Sequence, residues 1–176
     1  MTVQPSFTTH HGVMMNIDGN GTLIIGAAGI GKSSFALELL HLGHSLIADD
    51  VVEFSEVDNQ IIAHCPTLSS GFLHSRELGL ISIAPLFGES AFQLQYPLDY
   101  VVELQTATPS TVTLGSPALT YDVNGRLFPL LQLNLTTPAS LYHRVISWIK
   151  MQTLAPNAET IFKQRQQTLM NGPSTK

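Results

Sequence analysis

The octet GAAGIGKS, residues 26–33, conforms to the phosphate-binding pattern G-x-x-x-x-G-K-[ST], and its reading decides the fold. Working outward, the apolar run TLII at 22–25 leads in as a strand. The stretch SFALELL at 34–40 leads out with helical spacing, and strand–loop–helix is the setting the motif requires. The octet is Gly26, Ala27, Ala28, Gly29, Ile30, Gly31, Lys32 and Ser33. Its glycines let consecutive backbone N–H groups turn inward around an anion, and the helix N-terminus adds partial positive charge. Lys32 supplies a point charge for the outer phosphates and Ser33 a hydroxyl for Mg²⁺.

Three distant segments are expected to gather around this loop. GVMMNI at 12–17 and the strand at 22–25 read as a hairpin about DGNG, residues 18–21. If Ile17 pairs with Thr22, antiparallel register sets His11 opposite Ala28. SLIA at 45–48 follows a crossover of about twenty residues that contains a helix, so it returns parallel and right-handed to the same sheet. Asp49 and Asp50 then stand at the edge where α/β sheets bind ligands. Neighbouring residues on a strand point opposite ways, so one of the two carboxylates faces the phosphates, to take a hydroxyl proton or hold the metal shell. Third, Arg76 in the stretch LHSRELG at 73–79 is placed either to complement transition-state charge or to pair with Glu77 or a neighbouring loop.

Elsewhere, 51–55 and 60–63 read as a hairpin about Asp58-Asn59, and 119–123 with 126–135 as a second one about Asn124-Gly125. Residues 78–83 and 100–104 read as strands, 105–117 as a loop or mobile segment, and 139–154 as a helix opening after Thr137-Pro138. A weaker helix follows Pro156-Asn157, and the tail at 171–176 is expected to fray. The 176 residues are expected to form one α/β domain.

Composition excludes several functions. A net charge of −5 with only 8 Lys and Arg argues against nucleic acid as partner. No apolar run approaches the ~20 residues of a membrane span, and no signal peptide is visible, so a cytoplasmic location is expected. The single cysteine, Cys65, excludes an intramolecular disulfide. Hydrophobic residues make up 44% and charged residues 12%, a charge-poor surface that suggests burial against further copies of the chain.

With these pieces in place, the chain resembles the C-terminal catalytic domain of the bacterial HPr kinase/phosphorylase family. The resemblance is carried by HGV at 11–13, GAAGIGKS at 26–33, ALEL at 36–39, GH at 43–44 and LIADD at 46–50. It continues more weakly through Arg76, Leu78-Gly79 and LFG at 86–88. It implies a P-loop-containing domain of the HPr kinase/phosphoenolpyruvate carboxykinase type, a mixed sheet with a P-loop helix and C-terminal helices, in the short single-domain form. It further implies an ATP- and Mg²⁺-dependent serine kinase acting on HPr, the small carrier protein of the sugar phosphotransferase system. The reverse reaction would consume phosphate and release pyrophosphate, and the assembly would be a ring-like hexamer.

On this resemblance the serine-hydroxyl proton acceptor is Asp50, with Asp49 and His11 as catalytic neighbours and Arg76 in the signature segment. Lys32 contacts the transferred phosphate and Ser33 the metal. His74 stands where the family has a metal-binding Glu, and Glu77 where it has Gly, so both are carried as metal candidates. The family's later catalytic Arg, expected around 112–115, has no match in TVTLG at 111–115. Two other readings remain open: a P-loop kinase with a different acceptor, and a nucleotide-sensing module with little catalysis.

Overall fold

Turn chemistry sets the first register. The computed structural model describes residues 7–107 and 111–170. Thr8–His11 forms β1, Val13–Ile17 β2 and Asn20–Gly26 β3. Asp18 (φ 50°) and Gly19 (φ 82°) both take the left-handed conformation of a two-residue hairpin turn. Ile17 therefore pairs with Asn20, Met15 with Thr22 and Val13 with Ile24. This corrects the expected Ile17–Thr22 register, because a tight two-residue turn matches strand twist better than a four-residue loop. His11 is consequently not set against Ala28. The chain leaves that ladder at Gly12, and His11 pairs with Val51 in a second sheet. Glycine is required at the crossing point: a Cβ on Gly12 would lie 2.7 Å from the Ile24 carbonyl oxygen.

Beyond the phosphate loop, α1 runs over Lys32–His41 and buries Phe35, Ala36, Leu39 and Leu40. Gly43 turns the chain at φ 90° into β4, Ser45–Ala48. β4 pairs with β2 antiparallel and so runs parallel to β3, as the crossover predicts, with β2 between them. Val51–Val57 (β5) and Gln60–His64 (β6) form the expected hairpin about Asp58-Asn59.

Two strands here are not visible in the sequence pattern. Phe72–Ser75 is β7, paired among the described residues only with Gly79–Ser82 (β8), and Gln95–Pro97 is β9. Pro85 to Phe87 belong to the short helix α2, Ile83–Phe87. Tyr100–Gln105 (β10), Thr120–Val123 (β11) and Arg126–Asn134 (β12) follow, the last two joined at Asn124-Gly125 as expected.

Helix α3 spans Leu141–Gln152, shorter than the expected 139–154, because Ser140 caps it by accepting from the His143 N–H at 3.3 Å. Helix α4, Ala158–Met170, buries none of its residues. The tail at 171–176, read as frayed, lies outside the described residues.

A mixed six-stranded sheet, ordered β11-β12-β10-β3-β2-β4, organises the molecule, with β3, β10 and β12 parallel. On one face α1 and α3 pack Phe35, Leu39, Val145 and Ile149 against Val13, Met15, Ile24 and Leu104. The antiparallel sheet β1-β5-β6-β9 covers the other face, where Phe54 and Ile61 meet Met14, Leu23, Val101 and Phe128. Strands buried on both faces explain the unbroken apolar runs at 13–15 and 22–25. The carboxyl ends of β3, β4, β10 and β12 all emerge at one edge.

Candidate active site

At that edge Gly26 closes β3 and the backbone turns through Gly29 and Gly31 into α1. No side chain caps α1 and its first turn holds no acidic residue, so its leading N–H groups and partial positive charge are directed at the loop. Lys32 Nζ donates to the Gly26 and Ala27 carbonyls, both at 3.0 Å, which holds the ammonium over the loop.

The two neighbouring aspartates take different tasks. Asp49, 6% exposed, accepts from the Ser33 hydroxyl at Oδ1 (2.9 Å) and from the His74 backbone N–H at Oδ2 (2.8 Å). One buried carboxylate thus ties the phosphate-loop helix to the β7–β8 hairpin. Asp50 is exposed and sits at φ 68°, a left-handed conformation that costs a non-glycine residue roughly 1–2 kcal/mol. A three-residue turn, Val51 N–H to Asp49 carbonyl at 2.9 Å, fixes it there. The Gly12 N–H donates to the Asp50 carbonyl at 3.0 Å, and His11, paired with Val51, stands beside it. The corner therefore leaves the Asp50 carboxylate facing solvent while both oxygens of Asp49 are engaged. His11 stands next to this corner by its pairing with Val51, not by the expected hairpin register.

Arg76 occupies the turn of the β7–β8 hairpin, and its guanidinium lies on Gly29. A Cβ at Gly29 would sit 2.2 Å from Nη2. Of the alternatives open for this side chain, it takes the phosphate loop and makes no ion pair with Glu77. His74 contributes its backbone N–H, with the imidazole exposed on the outer face of the hairpin opposite Leu80. Glu77 is exposed in the turn. Among the described residues no three His, Cys, Asp or Glu side chains converge to form a metal cage, so His74 and Glu77 are not gathered with Asp49. The oxygens of Ser33 and Asp49 are hard donors beside a phosphate loop, a set that suits Mg²⁺ with most of its shell from phosphate and water.

On the opposite flank of the loop, the sequence reading passed over a polar pair. Gln132 Nε2 donates to Glu103 Oε2 at 2.8 Å, at the carboxyl ends of β12 and β10. Its only sequence signal is polar residues at the end of otherwise apolar strands, YVVELQ and RLFPLLQLN.

Residues 4–165 match the family described as HPr Serine kinase C-terminal domain. The chain belongs to this HPr kinase family. It is similar to the HPr kinase/phosphorylase of Bordetella petrii, 47% identical over 102 residues, which is 57% of this chain and 33% of that protein. Similarity to the HPr kinase/phosphorylase of Nitrosomonas europaea is 39% over 105 residues, 59% of this chain and 32% of that one. The chain thus spans about a third of the length of these curated relatives. Among solved structures, the Hpr(Ser) kinase/phosphatase from Coxiella burnetii superimposes with a TM-score of 0.70 at 27% identity, covering 93% of both chains. The HPr kinase fold therefore accounts for nearly the whole chain.

Proposed function

We propose that the chain is an ATP- and Mg²⁺-dependent protein-serine kinase acting on HPr, with phosphorolysis of phosphoserine-HPr as its reverse reaction. The observation that carries this reading is the Ser33–Asp49–His74 link, which sets a phosphate loop and an exposed carboxylate, Asp50, at one edge. Phosphates bind the N–H groups of residues 26–33, with Lys32 on the transferred group. Ser33 and Asp49 would hold Mg²⁺, which supplies charge neutralisation across the phosphates. Asp50, which has no side-chain partner among the described residues and is adjacent to His11, accepts the proton of the serine hydroxyl as the oxygen–phosphorus bond forms and ADP leaves. Arg76, on Gly29, meets charge developing on the equatorial oxygens.

In reverse, inorganic phosphate in the same cradle attacks the phosphoserine phosphorus, Asp50 returns its proton to the departing serine oxygen, and pyrophosphate is released. Alignment and charge stabilisation lower the barrier in both directions.

Assembly into a ring of six agrees with the apolar residues left on the surface, Leu78 and Leu80 on the β7–β8 hairpin, Leu86 on α2 and Phe162, Leu169 and Met170 on α4. No helix among the described residues is long and apolar enough to cross a membrane; the cytoplasm is the proposed location. Incubation with HPr, labelled ATP and Mg²⁺ tests the proposal. Label on an HPr serine supports it, label only on another acceptor makes the chain a kinase of different specificity, and binding without transfer makes it a nucleotide sensor.

A further inference from the structure

β3 enters the phosphate loop at Gly26, and its other end stands beside a cavity of about 230 Å³ at the junction of the two sheets. Three consecutive residues make that junction. Pro97 pairs with Ile62 in the antiparallel sheet, the Leu98 N–H donates to the Ile61 carbonyl at 2.8 Å, and the Asp99 N–H donates to the Gly21 carbonyl at 2.8 Å. Gly21 lies about 17 Å along β3 from Gly26, so the cavity is separate from the edge where phosphoryl transfer is placed.

The buried side chains of Ile61, Leu98 and Phe128 give the cavity an apolar lining. Two opposite charges border it without meeting. Asp99 is half-buried; its Oδ2 accepts from the Gly21 N–H at 2.7 Å, and its Oδ1 has no hydrogen-bond partner among the described residues. Arg126 Nη1 donates to the Asn59 carbonyl in the β5–β6 turn, and the other guanidinium N–H groups have no partner among the described residues. Both residues line the one cavity, yet among the described residues no ion pair joins them. Burial holds the Asp99 carboxyl above its ordinary pKa against the opposing pull of the Gly21 N–H, so a cation at Oδ1 would relieve a cost the fold carries. Apolar walls with a few polar groups turned inward characterise small-molecule sites, and the volume lies below the roughly 300 Å³ at which drug-sized ligands begin.

A ligand that satisfies this lining brings an anion to Arg126, a cation to Asp99 and hydrocarbon to the apolar wall. A carboxylate accepts two parallel N–H bonds from a guanidinium, and an ammonium offers three donors to a carboxylate. A phosphate or sugar phosphate brings no cation and is repelled by Asp99, while a metal ion finds one carboxylate and is repelled by Arg126. We infer that the cavity binds a small aliphatic α-amino acid, with its carboxylate on Arg126, its ammonium on Asp99 and its side chain against Ile61, Leu98 and Phe128.

Calorimetric titration with L-valine, with isovalerate, which lacks the ammonium, and with isobutylamine, which lacks the carboxylate, tests the inference. Valine should bind roughly 10- to 100-fold more tightly than either, the range of a hydrogen bond to a charged group. Asp99→Asn keeps an acceptor for the Gly21 N–H and removes the charge. It should lower valine binding to the level of isovalerate while binding isovalerate no more weakly than before. Arg126→Gln alters an exposed residue, should lower valine binding to the level of isobutylamine, and carries the test if Asp99→Asn does not fold. Valine that binds no more tightly than isovalerate overturns the proposal, as does a valine affinity that survives both substitutions. Failure of the unaltered chain to bind valine also overturns it, and leaves the phosphate-loop reading untouched.

Discussion

Replacing Asp50 by glycine separates what this residue does for the fold from what it does for the reaction. Its φ of 68° places an L-residue in the left-handed region, at a cost of roughly 1–2 kcal/mol that glycine does not incur. Glycine restores freedom to the unfolded chain, a loss of roughly 0.5–1 kcal/mol. Both hydrogen bonds of the corner, Val51 N–H to Asp49 carbonyl and Gly12 N–H to Asp50 carbonyl, are backbone bonds and survive the change. The balance is a gain of about 0.5–1 kcal/mol, or a rise of about 1–4 °C in melting temperature for a chain of this size. Transfer to a serine acceptor should meanwhile fall by about 10²-fold or more with the loss of the proton acceptor.

Asp49→Ala is the contrasting variant. It strands the Ser33 hydroxyl and the His74 N–H, two charge-assisted bonds to a buried group, and should destabilise by about 2–5 kcal/mol. The assay pairs thermal melting with phosphotransfer at saturating ATP. A destabilised but active Asp50→Gly would refute the reasoning, since the corner would then need the carboxylate for folding and the reaction would not.

Lys32→Ala should abolish transfer in both directions while leaving the melting temperature within about 2 °C, because its bonds go to one part-buried and one exposed carbonyl that water can satisfy; ordinary turnover would sink the phosphate-loop assignment. Gly29→Ala should displace the Arg76 guanidinium and strain a φ of 76°, lowering phosphotransfer and protection of the β7–β8 hairpin in hydrogen exchange. An unchanged exchange pattern would show that Arg76 does not hold the hairpin to the loop.

Acid should weaken the fold through three histidines. Burial lowers the pKa of His10, His44 and His64 below the ordinary 6.5, against opposing pulls from Asp122, Asp18 and Glu53. Each takes up a proton more readily when unfolded, so stability is full above about pH 6.5 and declines as pH falls below it. His44 is 6% exposed and its Nε2 has no partner, so His44→Asn or Gln should flatten the decline measured by denaturant titration between pH 7.5 and 5. A decline of undiminished steepness in that variant would assign it to other groups.

Periodicity and turn chemistry are local properties, which is why β5–β6, β11–β12, α1 and α3 are legible from the chain alone. The strands that escape are those whose partners are not encoded in their own pattern. β1 reads TTHH, without an apolar residue, and exists because its backbone completes the edge of β5. β7 has a single buried side chain, Leu73, and pairs among the described residues only with β8. The same limit explains the candidate site. The octet, the aspartate pair and Arg76 could be named because their residue types declare their chemistry. Glu103 and Gln132 could not, since each is one polar residue on an apolar strand until register places them side by side.

GAAGIGKS and the crossover behind it determine a phosphate cradle on an α/β sheet with two aspartates at its rim, because backbone conformation and connection length follow from neighbours in the chain. Tertiary structure decided which aspartate is tied down and which is free. It did so by bringing the His74 N–H and the Ser33 hydroxyl to Asp49 and by turning Asp50 outward in a left-handed corner. It also moved His11 from the hairpin ladder to that corner, through a two-residue turn and a glycine against the Ile24 carbonyl. Such contacts depend on residues far apart in sequence, and only packing brings them within hydrogen-bonding distance.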